Sequence, residues 1–184
     1  MNVAFCIYDG MTALDFVGIY DPVTRLHRMG FLELNWDICA RTQQVTANRL
    51  TFEVDQVDSP LARYDILIIP GGTRTRRLMD ETQFIEWLKS AREDALLVSV
   101  CTGSLLLGAA GYLTGKQATT HPSQYEVLKQ FATLSTDRIV HDGNVITGRG
   151  VTAGIDVGLY VVEELSDMET RETIATQMDY PYFS

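Results

Sequence analysis

The sequence predicts a layered α/β fold, a mostly parallel sheet with helices on both faces, and two observations carry that expectation. Four apolar runs of strand length, residues 3–8, 34–40, 66–69 and 96–100, are rich in Val and Ile and show little polar alternation, as strands covered on both faces do. Segments with helical spacing fall between and after them, so strand and helix take turns along the chain.

The first run, in MNVAFCIYDG, lacks a positive n-region and is short, so it reads as a strand and not as a signal peptide. Asp15 then stands before the apolar segment 16–29, a helix for which it is a candidate cap. After the second run, residues 46–55 alternate apolar and polar side chains, the pattern of a hairpin or an edge strand. The third run leads to residues 83–91, where Phe84, Ile85, Leu88 and Ala91 recur at near-helical spacing. The fourth passes into the helix-forming run 105–110. IVHDGNVITG, residues 139–148, places two short β runs around Asp142-Gly143-Asn144, a hairpin signal. Ile155, Leu159, Val162 and Leu165 then form one helical stripe, and residues 169–178 a further helix. No linker, repeat or low-complexity stretch interrupts the chain, so residues 1–184 read as a single domain.

With 184 residues and 46% apolar composition the chain can fill a sizeable core. A formal net charge of -9 with no Lys/Arg-rich run opposes binding to a phosphate backbone or an anionic lipid surface, so neither nucleic acid nor membrane is expected as a partner. No stretch approaches the roughly 18 to 20 apolar residues of a membrane-spanning helix. Cys6, Cys39 and Cys101 are odd in number and show no metal-ligand spacing, which argues against a disulfide framework and a zinc site and for a reducing cytoplasm.

In open α/β sheets the functional crevice lies beyond the carboxyl ends of the strands. Four stretches fall there: YDGMTALD ending in Asp15, IIPGGT with Gly71 and Gly72, CTGS with Cys101, and ATTH ending in His121. A cysteine on a strand-to-helix turn is lifted above the sheet, with Gly103 letting the helix start pack closely, as in a nucleophile elbow. The free N–H groups and positive dipole end of that helix are expected to lower the Cys101 pKa below the usual ~8.5. Cys6 and Cys39, inside apolar strands, read as space-filling. The backbone N–H groups of Thr102 and Gly72 are candidate donors for charge developing on a substrate, and Gly71-Gly72 reads equally as a simple tight turn. Asp15 reads as a helix cap, as an acid sharing a proton with Cys101, or as both. His121 is either a general base or a cap-region or core histidine before Pro122. His27 and His141 read as structural or exposed, and Arg74, Arg76 and Arg77 as a solvated face that could also attract an anion.

These stretches together, with VSVCTGSLLLGAAGYLTGKQATTH at 98–121 and DGNVITGRGVTAGID at 142–156, make the chain similar to the ThiJ/PfpI superfamily, also described as class I glutamine amidotransferase-like. Within it the chain most resembles the branch of isonitrile hydratases. The resemblance implies a flavodoxin-like three-layer sandwich, a homodimer, a small-molecule substrate, and neither metal nor organic cofactor. It places the nucleophile on Cys101, the partner acid on Asp15 and an adjacent site threonine on Thr102. Aspartate at 15 matches the hydratase-like branch, whereas glyoxalase- and deglycase-like branches carry glutamate there. Pro122 departs from the pattern, since relatives commonly have an aromatic residue after ATTH. The same central block occurs in transcription regulators joined to a helix-turn-helix module, and no such segment is expected here. The activity implied is cysteine-dependent hydration of an isonitrile to an N-substituted formamide; the alternatives are a redox protein with Cys101 as oxidation sensor and a non-catalytic metabolite-binding domain.

Overall fold

The computed structural model describes residues 1–181. In chain order the elements are β1 (Asn2–Cys6), α1 (Ala13–Arg28), β2 (Asn35–Ala40), β3 (Gln44–Ala47), β4 (Leu50–Glu53), β5 (Gln56–Val57), β6 (Ile66–Ile69), α2 (Thr75–Leu78), α3 (Thr82–Lys89), β7 (Leu96–Val100) and α4 (Gly103–Ala109). There follow β8 (Gln117–Ala118), a 3-10 turn (Pro122–Gln124), α5 (Tyr125–Leu128), β9 (Thr133–Leu134), β10 (Ile139–Asp142), β11 (Val145–Gly148), α6 (Ala153–Leu165) and α7 (Met168–Gln177).

Seven strands form the central sheet in the order β10-β11-β7-β6-β1-β2-β5. All neighbours are parallel except β10 and β11. Every residue of β6 is buried, as expected of a central strand covered on both faces. The predicted flavodoxin-like sandwich is therefore present. The chain runs outward from β1 to β2 and then returns to β6 on the other side of β1. That reversal opens a crevice at the carboxyl ends of β1 and β6, next to the end of β7.

The hairpin at 139–148 is not an appendage. Its second strand, β11, is buried and lies parallel to β7, so the hairpin completes one edge of the sheet. The detached hairpin is β3–β4, which turns through Asn48 and Arg49 at φ 47° and 72°, the left-handed pair that a two-residue connection needs.

The site-bearing helix α1 is fixed by α6. The predicted stripe on α6 is buried where expected: Leu159 and Val162 form a small cluster with Leu26 of α1 and Ile174 of α7. Closer to the site the two helices approach backbone to backbone. A β-carbon on Gly158 would collide with Pro22 Cγ and lie 3.1 Å from Ile19 Cα, and one on Gly18 would lie 3.3 Å from the Ile155 nitrogen. Pro22 removes one hydrogen bond from the interior of α1, and its ring fills the space that Gly158 leaves.

Among the described residues no helix is long and apolar enough to cross a membrane. Gly158→Ala should destabilise the fold by ~1–3 kcal/mol, because neither a proline ring nor a helix backbone can yield cheaply. A urea midpoint equal to that of the unaltered chain would show that α1 and α6 are not held at contact distance.

Candidate active site

Cys101 sits at φ 58°, a left-handed conformation uncommon for a residue with a β-carbon. It is held there from both sides. Its N–H donates to Gly148 O at 2.9 Å, extending the β7–β11 ladder, while its own carbonyl accepts from Thr120 Oγ1 at 2.9 Å and Ser104 Oγ at 3.3 Å. A β-carbon on Gly103 would collide with Ile69 O and lie 2.9 Å from Pro70 O, so α4 starts directly against the end of β6. The elbow expected from VSVCTGS is therefore the observed local structure.

The Gly-Gly turn after β6 is wedged between this elbow and the loop after β1. A β-carbon on Gly71 would lie 2.5 Å from the Thr102 nitrogen and 2.8 Å from Cys101 Cβ; one on Gly72 would lie 2.5 Å from Met11 Cα. The Thr12 N–H donates to Gly71 O at 2.8 Å and the Thr73 N–H to Gly10 O at 3.0 Å. Three strand-end loops are thus locked in one register.

Asp15 is not the cap of α1. The helix begins at Ala13, so Asp15 lies inside its first turn, where the side chain is fully buried and turns toward the sheet. Its Oδ2 accepts the Gly71 N–H at 3.1 Å, and its remaining interaction is with the Cys101 thiol. Oδ1 is buried and receives no conventional hydrogen bond.

Burial pushes the Asp15 carboxyl up to about 7, against the lowering effect of its bonds to Cys101 and the Gly71 N–H. The same burial, helped by the Asp15 charge, pushes the Cys101 thiol up to about 12. The expected lowering of the thiol pKa by the helix N-terminus is thereby overturned. The Thr102 N–H does favour thiolate, but Cys101 is only 5% exposed, and lost solvation beside a carboxylate outweighs one short helix end. What the pair has is a shared proton.

Thr102 lies against Cys101, yet its hydroxyl is already engaged. Its Oγ1 accepts the Gly72 N–H at 2.9 Å and lies 2.8 Å from Thr75 Oγ1 and 3.2 Å from Gly72 O. The Gly72 N–H, expected with the Thr102 N–H as a substrate donor, is engaged by Thr102 Oγ1, and the neighbouring Gly71 N–H by Asp15, so both orient these side chains; the Thr102 N–H faces the Cys101 sulfur.

His121 caps the 3-10 turn: its Nδ1 lies 2.8 Å from Ser123 Oγ and accepts the Ser123 N–H at 3.3 Å. ATTH reaches the cysteine through Thr120 and not through His121. Pro122 opens the turn, as anticipated. Arg74 faces Asp9 at 3.7 Å, Arg77 pairs with Glu81 at 3.1 Å, and Arg76 donates to Gln124 at 2.8 Å, which favours the solvated-face reading. Cys6 and Cys39 are buried in the core. Tyr8, Thr75, Thr120 and Gly148 support the site and were missed by the sequence reading. Tyr8, in YDGMTALD, and Thr120, in ATTH, stood inside flagged stretches without being singled out.

The sequence model described as the DJ-1/PfpI family matches residues 1–164. An isonitrile hydratase from Pseudomonas putida is 35% identical over 182 residues, 98% of this chain and 78% of that protein. A glutathione-independent glyoxalase DJ-1 from Schizosaccharomyces pombe is 26% identical over 146 residues, 77% of this chain and 76% of that one. Among solved structures, a ThiJ/PfpI family protein from Pseudomonas syringae superposes with a TM-score of 0.89 at 31% identity, covering 100% of this chain and 76% of the other. The elbow, the Gly-Gly turn and the buried aspartate thus stand in a chain that belongs to the DJ-1/PfpI family.

Proposed function

We propose that this chain hydrates a small isonitrile to an N-substituted formamide, with Cys101 as nucleophile and Asp15 as the acid and base. The observation that carries the reading is the buried pairing of an aspartate with the elbow cysteine, and the 35% identity to an isonitrile hydratase supports it. In the one-proton form of the pair, the sulfur adds to the terminal isonitrile carbon while the Asp15 proton passes to that same carbon. The product is a thioimidate and a carboxylate. Asp15 then takes a proton from water as the oxygen adds to the thioimidate carbon, and returns it to the nitrogen. Collapse of the tetrahedral adduct transfers the hydroxyl proton to Asp15, expels the Cys101 thiolate and releases the formamide. Every proton that moves passes through one carboxyl, and covalent capture splits a difficult addition into two easier ones. Thr102 supplies the donor beside the sulfur.

The oxidation-sensor alternative draws on the same buried thiol, and the DJ-1 relatives fit it as well. Mass spectrometry after exposure to an alkyl isonitrile, and separately to peroxide, decides between them. Formamide should accumulate and vanish in Cys101→Ala; oxidation of Cys101 without turnover would refute the hydratase reading.

The pH dependence has a definite sign. Below about 7 the pair holds two protons and offers no thiolate; above it one proton is shared, so kcat/KM should rise through about pH 7 to a plateau. Asp15→Asn should remove that limb, leaving only the more alkaline titration of the thiol, and lower the plateau by ~10²–10⁴-fold. Retention of the limb near 7 in Asp15→Asn would count against the acid-base role.

The same substitution should stabilise the protein. A carboxyl whose folded pKa is raised to about 7 from an unfolded value of ~3.9 disfavours folding wherever it must ionise. That penalty is absent below the unfolded pKa, grows between the two values, and is complete above the folded one. Asp15→Asn should therefore gain roughly 2–4 kcal/mol at pH 8, fading to nothing below about pH 4. Denaturant titrations at the two pH values check it, and an equal effect at both would contradict the buried-charge account.

A further inference from the structure

Behind the Gly-Gly turn three buried or half-buried hydroxyls form a line that ends beside Cys101. Tyr8 Oη lies 2.8 Å from Pro70 O and 3.0 Å from Thr75 Oγ1, and Thr75 Oγ1 lies 2.8 Å from Thr102 Oγ1 and 2.8 Å from Gly72 O. Tyr8 is 5% exposed and Thr75 wholly buried, so no bulk water competes for these groups. The proposed hydration uses neither Tyr8 nor Thr75.

Two arrangements of the three protons matter here. Tyr8 donates to Pro70 O in the first and to Thr75 Oγ1 in the second. In the first arrangement Thr75 donates to Gly72 O and Thr102 donates to Thr75, so no hydroxyl proton points at the sulfur. In the second Thr75 donates to Thr102 Oγ1. The Thr102 oxygen then accepts two protons, from Thr75 and from the Gly72 N–H, and its own proton is released toward Cys101. Gly72 O is not orphaned by the change, because the Thr75 N–H also donates to it, at 3.3 Å. A hydroxyl that accepts two hydrogen bonds is also a stronger donor.

We propose that Thr75, held in place by Tyr8, is a positioning residue that sets the direction of the Thr102 hydroxyl proton and thereby turns Thr102 into a donor to the sulfur of Cys101. This rests on Cys101 being the reacting group of the proposed function. The role is one of hydroxyl rotation alone: no bond to carbon or sulfur changes, and no proton leaves its oxygen. Without the Thr75 hydroxyl, Thr102 Oγ1 loses one of its two donors, its own proton falls back on Gly72 O 3.2 Å away, and the thiolate is less well supported. The titratable groups that face Cys101 are Asp15 from α1 and Tyr8 from the loop after β1.

The experiment compares the full chain with Thr75→Val, Thr75→Ser, Thr102→Val, Tyr8→Phe and the double Thr75→Val, Thr102→Val variant. The readout is the pH profile of iodoacetamide alkylation at the Cys101 peptide, alongside isonitrile turnover. Thr75→Val should slow alkylation roughly tenfold at a given pH, an upward displacement of about one pH unit, with serine restoring the rate. The double variant should be no slower than Thr102→Val alone, since one proton is being directed in both. Tyr8→Phe keeps the ring and should act in the same direction more weakly, which carries the test if Thr75→Val does not fold. An alkylation profile unmoved in Thr75→Val and Tyr8→Phe, or losses that multiply in the double variant, would overturn the proposal. A chain that alkylates as expected yet turns over no isonitrile would count against the hydration reading alone, because alkylation does not involve that substrate.

Discussion

Asp15 Oδ2 meets the Gly71 N–H at 3.1 Å with the side chain fully buried, and the loops around the crevice are arranged about this contact. A carboxylate facing a thiol, with one oxygen lacking a conventional donor, is an arrangement a chain abandons unless the surrounding structure over-determines it. Three separate segments supply that constraint. The first turn of α1 carries the carboxylate, the Gly-Gly turn offers its N–H, and the elbow brings the sulfur. The close α1–α6 crossing at Gly18, Pro22 and Gly158 fixes the helix that Asp15 rides on. The destabilisation at the site is local, while the compensation is spread over a helix pair some turns away.

Glycine at 71, 72 and 103 is required by approach distances, not by turn geometry. Each would place a β-carbon inside the van der Waals contact of a neighbouring backbone. The consequence is chemical. With side chains excluded from these positions, the turn offers its own backbone N–H groups, and they are spent on Asp15 and Thr102. The turn read from sequence as a source of substrate donors is instead a rigid frame that holds Asp15 and Thr102. Donors for a substrate must come from those side chains or from the substrate's own face of the crevice.

The strands, the elbow and the hairpin were legible because each depends on residues close in sequence: Val and Ile runs, a glycine two places after a cysteine, Asp-Gly-Asn between β runs. What was not legible depends on contacts made across the chain. Thr75 reads as an ordinary first residue of a short helix, and only the fold sets it against Tyr8 and Thr102, 67 and 27 residues distant. The direction of the Cys101 shift failed for a related reason. Helix position is local and visible in sequence, whereas burial and a carboxylate supplied from residue 15 are not, and they dominate. Asp15 was ambiguous between cap and acid because sequence fixes a helix start only to within a few residues.

A thiol raised to about 12 is not thereby inert, because the relevant species is the pair. With the carboxyl near 7, a single proton is held jointly across the neutral and mildly alkaline range. Any electrophile that consumes both thiolate and proton draws on the form with the proton on oxygen, however minor it is at rest. That form leaves one negative charge in a buried site, and among the described residues no cation contributes to the titration of either group. A buried negative charge with no cation shifting either group disfavours an anionic substrate. The site is suited to a neutral electrophile whose reacting carbon accepts the sulfur and the proton together. An isonitrile carbon does this, since addition of both leaves a neutral thioimidate. Under the proposed hydration, the protonation of the buried pair bears on the choice of substrate, whereas the motif around Cys101 bears on the local fold.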